Sequence, residues 1–156
     1  VCREARVPLL VDASGPGLLA ALAAGPDIVK VGRVEAVEAG IVAQDADTVE
    51  AATALVDRGA RLAVVTDGAA TVAAADATTT WRLTVPRVEA VNAVGSGDSF
   101  NAAMSLALMD GADVAYALRA GVAAGSANAL ALGAAMLDPD VANGLASQVN
   151  VAIERR

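Results

Sequence analysis

Apolar runs and helical stripes alternate along this chain, and the alternation predicts its elements. Residues 7–13, VPLLVDA, form a continuous apolar run closed by an acid. Such runs suit strands buried on both faces, as in a parallel sheet. PGLLAALAAG follows at 16–25, a short helix with Pro near its start and Gly25 at its end. DIVKV (27–31) predicts a second strand, RVEAVEAG (33–40) one or two helical turns, and RLAVVT (61–66) a third strand. Between them, DTVEAATALVDRGA is amphipathic, with Val49, Ala52, Leu55 and Val56 on one face. ATVAAA and TTTWRLTV read as a hairpin pair or strand meander. Helices are expected over 97–110 and 113–132; in the second, Val114, Leu118, Gly121, Val122, Gly125, Ala129 and Leu132 make one stripe. DPDVANGLASQVNVAIERR predicts a short helix and a last strand. This order implies an α/β fold with a mostly parallel sheet covered by helices.

Two stretches bear on targeting. The opening VCREARVPLL reads as a helix tail feeding a strand, with no starting Met, basic segment or long apolar run. No signal peptide is visible, and the natural N-terminus is expected to lie upstream. The uncharged run from Ala120 to Leu137 has membrane-span length. Its many Ala and Gly, with Ser126 and Asn128, favour a buried helix instead.

Composition narrows the function. The 156 residues suit one domain portion with a real core, and the 56% hydrophobic content is mostly Ala, so helices can pack closely. Aromatics at 2% provide no stacking platform, and a net charge of -7 argues against nucleic acid. There is no His, which removes imidazole acid–base chemistry and His metal sites. The lone Cys2 has no disulfide partner, so a reducing, cytoplasmic setting is expected.

The candidate chemistry lies in VEAVNAVGSGDSFNAAMSLALMD. A helix start offers free N–H groups and partial positive charge, and glycines let an anion approach them. Gly95, Ser96 and Gly97 are suited to hold an anion. Asp98 follows at once. A carboxylate there either caps the helix or faces a hydroxyl that is to attack the anion, whose proton it would accept. The residues alone leave both readings open.

NAVGSGDSF resembles the C-terminal signature of the PfkB (ribokinase-like) carbohydrate kinase family, with a G-[AS]-G-D core. VPLLVDASG, DIVKVGRVEA and GVAAGSANAL extend the resemblance in the family's order. Their flavour is that of the branch acting on sugar phosphates, the 1-phosphofructokinase, 6-phosphofructokinase-2 and tagatose-6-phosphate kinase group. The resemblance implies a three-layer α/β/α sandwich, here partial, with the N-terminal half absent. It implies ATP and Mg²⁺ as cofactors, a sugar or sugar-phosphate substrate, Asp98 as the base and Gly95, Ser96 and Gly97 as the anion hole. The family's Lys-Pro-Asn-x-x-Glu run is KVGRVE here. Lys30 matches as a phosphate-neutralising cation and Glu35 as the Mg²⁺ residue, but Val31 and Gly32 replace Pro and Asn. In VVTDGAAT, Thr66 and Gly68 match a nucleotide-contacting turn, while Thr71 stands where a second Gly is usual. Asn128 falls on the helix resembling the adenine wall, as a nucleotide contact or as a partner for a neighbouring helix. Asp12 and Ser14 follow a strand end and read as turn or cap residues. In the family, sugar recognition and the lid come largely from the N-terminal half. The chain alone is therefore expected to be incomplete, with homodimerisation through the surface that half normally covers. A nucleotide-binding but inactive fragment and a non-catalytic α/β interaction domain remain alternatives.

Overall fold

The computed structural model describes residues 2–5 and 7–156. The predicted helix tail is α1, Cys2–Ala5, with residues 1 and 6 outside the described residues. The chain divides into two compact units, residues 1–82 with 152–156 and residues 83–151. The sheet has six strands in chain order.

In the first unit, β1 (Leu10–Asp12), β2 (Ile28–Gly32) and β3 (Leu62–Asp67) are parallel neighbours, as the three apolar runs predict. The first strand is shorter than the run that announces it. Helix α2 (Gly15–Ala23) crosses from β1 to β2, with Pro near its start and Gly25 at a φ of +65° just past its end. Helices α3 (Arg33–Glu38) and α4 (Thr48–Asp57) lie between β2 and β3. Leu18 and Leu22 of α2, Val29 and Val31 of β2, Leu55 of α4 and Val65 of β3 share one buried core. Strand β4 (Thr71–Ala75) returns antiparallel to β3, followed by β5 (Thr79–Thr84), so the predicted meander is present and the sheet is mixed.

The α4 face is rotated from the expected one. Its buried residues are Thr48, Ala51, Ala52 and Leu55, with Val49 and Val56 only half-buried. Small Ala51 and Ala52 let the helix sit close on β3 and β4, so contact distance outweighs side-chain hydrophobicity. Asp47 caps this helix, accepting from the N–H groups of Val49 (2.8 Å) and Glu50 (2.9 Å).

In the second unit, α5 (Ser96–Met109) packs on α6 (Val114–Leu130), followed by α7 (Pro139–Ala146). Helix α6 is buried nearly all round between Ala117 and Ala129, not along one stripe. Gly121 lies against Phe100 and Gly125 against the Ser96 carbonyl; a Cβ at either would stand 3.0 Å from its neighbour. The uncharged run does not form one helix. It leaves α6 after Leu130, and Leu132 is exposed. Among the described residues no helix is long and apolar enough to cross a membrane. The last strand, β6, is Val151–Arg155.

Candidate active site

The Gly-Ser-Gly-Asp turn sits at the mouth of α5. Gly95 is its N-cap, with φ +83° and ψ 0°. That left-handed conformation suits glycine, and a Cβ there would also stand 2.8 Å from the Ala134 Cβ. The Ser96 N–H closes the turn on the Ala93 carbonyl at 3.2 Å. Gly97 and Asp98 come next in the first helical turn, where N–H groups have no intrahelical acceptor. Asp98 is exposed. Among the described residues, none of the N–H groups at the start of α5 is seen donating to the Asp98 carboxylate, so that side chain does not serve as the cap.

Asn128 holds this turn from behind. It is fully buried on α6. Its amide nitrogen donates to the Val94 carbonyl (2.9 Å) and the Ser96 hydroxyl oxygen (3.2 Å). Its oxygen accepts from the Ala135 N–H (2.8 Å) and the Ser99 hydroxyl (3.3 Å). A carboxamide has two donors and two acceptor positions, so all four are used inside the protein. Of the two sequence readings, this geometry matches the partner for a neighbouring segment and leaves no polar position for a nucleotide.

The other candidates gather in the first unit, at the carboxyl ends of the parallel strands, where open α/β sheets bind ligands. Lys30 is register partner to Asp12, and Gly32 to Thr66. Lys30 is buried, and its Nζ lies 3.0 Å from Asp12 Oδ2. Strand register sets the Asp12 carboxylate beside the only lysine, a pairing that the turn-or-cap expectation did not include. Ser14 does precede α2, but its side chain makes no cap bond. Glu35 Oε2 accepts the Gly32 N–H at 2.7 Å, within α3's own first turn. Arg33 donates from Nε to Asp67 at 3.1 Å, a pairing 34 residues apart that no local spacing announces. Gly68, exposed and with φ +54°, turns β3 into β4 just beyond Thr66.

A protein-held metal finds few ligands here. Among the described residues no group of three His, Cys, Asp or Glu gathers. Glu35 has one oxygen committed to the backbone, and Gly32 offers no side chain. This donor set fits only a Mg²⁺ that takes most of its ligands from phosphates and water, the usual habit of that ion.

Comparison with known proteins bears on this arrangement. A family model described as pfkB family carbohydrate kinase matches residues 1–140. The ATP-dependent 6-phosphofructokinase isozyme 2 of Escherichia coli is 36% identical over 135 residues, covering 84% of this chain and 44% of that protein. Its Mycobacterium tuberculosis counterpart is 32% identical over 143 residues, covering 90% of this chain and 42% of that protein. The crystal structure of phosphofructokinase-2 from E. coli in complex with potassium superposes with a TM-score of 0.84 at 31% identity, over 94% of this chain and 48% of that one. The chain thus spans less than half the length of these curated relatives.

Proposed function

The chain belongs to the pfkB family of carbohydrate kinases, and from that premise we propose that it carries the base and phosphate-binding part of an ATP-dependent sugar or sugar-phosphate kinase. The observation that carries this reading is an exposed Asp98 in the first turn of α5, directly behind a left-handed Gly95, with its carboxylate free of capping duty.

Each residue then has a role. Asp98 takes the proton of the acceptor hydroxyl as its oxygen attacks the transferring phosphoryl group. The N–H groups of Gly97 and Asp98, with the positive end of α5, offset charge on that group. Ser96 shapes the turn, since its own N–H is spent on Ala93. Asn128 is a positioning residue, holding Val94 and Ser96. Lys30, Thr66 and Gly68 serve the nucleotide at the strand ends, with Asp12 orienting the Lys30 ammonium. Mg²⁺ bound to the nucleotide would neutralise phosphate charge, and Glu35 is the residue of this chain suited to meet it through water. A phosphoryl-transfer site also needs the acceptor positioned and water excluded.

The test is Asp98→Asn in a protein that turns over, with rate, nucleotide affinity and melting temperature measured on the same sample. Turnover should fall about 10²–10⁴-fold, while affinity holds or rises as a negative charge leaves the phosphates. Turnover within a few-fold of the parent, in a variant of unchanged melting temperature, would reduce Asp98 to a helix-surface acid. A chain that binds nucleotide through Gly97 but never transfers phosphate would point to the fragment reading, which the altered KVGRVE run, with Gly32 in place of Asn, favours.

A further inference from the structure

Strand register brings one arginine to the carboxyl ends of β2 and β3. Gly32, the last residue of β2, is register partner to Thr66. Arg33 follows Gly32 and Asp67 follows Thr66, so these two stand side by side where the strands end. Arg33 Nε donates to Asp67 Oδ2 at 3.1 Å, and Nη1 donates to the Gln44 carbonyl at 3.1 Å. The planar guanidinium is thereby held from two sides. Among the described residues Nη2 has no acceptor, and with 22% of the side chain exposed it stays open to solvent. Lys30, the other cation at these strand ends, is buried against Asp12. Arg33 is therefore the cation with N–H groups to spare.

A partly exposed ion pair adds little stability, and fixing a long side chain at two nitrogens costs conformational entropy. What the arrangement supplies is a pre-oriented cation with an open N–H edge, at the end of a sheet where ligands bind. Such an edge matches the oxygens of a phosphate group. The space beside it is open as well: Gly68 directly follows Asp67, and a Cβ there would meet nothing within 4 Å.

We propose that Arg33 binds a phosphate group of the nucleotide at these strand ends, with Asp67 as the acid that orients it and competes for it. This rests on the kinase reading above, in which Thr66 and Gly68 serve the nucleotide. The Asp67 carboxylate fixes Nε, while its charge opposes the incoming phosphate. Asparagine in its place keeps an acceptor for Nε without that charge. Loss of Arg33 and neutralisation of Asp67 should therefore move ATP affinity in opposite directions. A pair that serves only stability gives both changes the same sign.

Calorimetric titration of the 156-residue chain with ATP, adenosine and glucose 6-phosphate tests this, with melting temperatures measured alongside. Arg33→Gln should weaken ATP binding about tenfold, as a charge-assisted hydrogen bond is lost, and leave adenosine binding unchanged. Arg33→Lys should fall between, keeping the charge without the fork. Asp67→Asn should tighten ATP binding about two- to fivefold without affecting adenosine, and the gain should shrink as salt rises. Unchanged ATP affinity in folded Arg33→Gln, where Gly97→Val does weaken ATP, would overturn the proposal and leave the kinase reading standing. Absence of ATP binding in the parent would overturn both. If Arg33→Gln fails to fold, unchanged or weaker ATP binding in Asp67→Asn would decide against the proposal. An Arg33→Gln loss confined to glucose 6-phosphate would remove its assignment to the nucleotide.

Discussion

Asn128 donates its side-chain amide to the Val94 carbonyl at 2.9 Å, joining the last turn of one helix to the residue just before the left-handed glycine of another. The turn that holds the candidate base is shaped by this buried carboxamide as much as by its own glycines.

Replacing Asn128 with Leu keeps the branched shape and removes all four hydrogen bonds. The Ala135 N–H and Val94 carbonyl would be left without their partner, at about 1–3 kcal/mol for each group that stays buried. A loss of about 2–4 kcal/mol in chemical denaturation is expected, with weaker nucleotide binding at temperatures where the fold survives. Asn128→Asp should also destabilise, because it sets a carboxylate oxygen against the Val94 carbonyl.

Gly95 and Gly111 share a φ of +83°, but only Gly95 has a neighbour, Ala134, where a Cβ would go. Alanine at Gly111 should cost about 1 kcal/mol, the left-handed strain alone. Alanine at Gly95 adds overpacking of about 1–3 kcal/mol. Equal losses in paired thermal melts would show that Ala134 yields freely and that the turn is not tightly held.

Lys30 and Asp12 should behave unequally. Asp12→Ala strands a buried ammonium, and loss of one partner of a buried pair is costly, by up to about 3–5 kcal/mol. The Asp12 side chain is 35% exposed, so water screening should bring the loss below that range. Lys30→Met removes the charge itself and should cost less. The Asp12→Ala, Lys30→Met double variant should be more stable than Asp12→Ala alone. Both Lys30 variants should bind ATP more weakly than the parent; unchanged affinity would take Lys30 out of the nucleotide site.

Asp47 makes one contribution to the first unit's stability that depends on pH. The hydrogen bond from Arg82 holds its carboxyl below the usual value of 3.8, helped by the Glu50 N–H. A depressed folded pKa gives stability that is present above the unfolded pKa and lost as pH falls through the folded one. Melting temperature in the parent should therefore drop more steeply below about pH 4 than in Asp47→Asn. Near neutral pH, Asp47→Ala should cost about 1 kcal/mol as a lost cap. Parallel acid limbs for parent and Asp47→Asn would remove this role.

What the sequence determined by itself was local. Continuous apolar runs specify the parallel strands β1, β2 and β3, because a strand covered on both faces has no polar alternation to show. Pro and Gly punctuate α2, and Gly-Ser-Gly-Asp marks the start of α5, because turns and helix ends are decided by backbone preferences of a few adjacent residues. Tertiary structure decided what depends on distant partners. The pairing of Asp12 with Lys30 follows from strand register, and that of Arg33 with Asp67 from two strand ends meeting. The α4 face turned toward Ala51 and Ala52 because backbone approach, which periodicity does not encode, set the packing. Asn128 could be read as a nucleotide contact or an internal partner until the fold brought Val94, Ser96, Ser99 and Ala135 around it. A side chain's chemistry is written in its type, but which of its hydrogen bonds remain for a ligand depends on the neighbours that folding supplies.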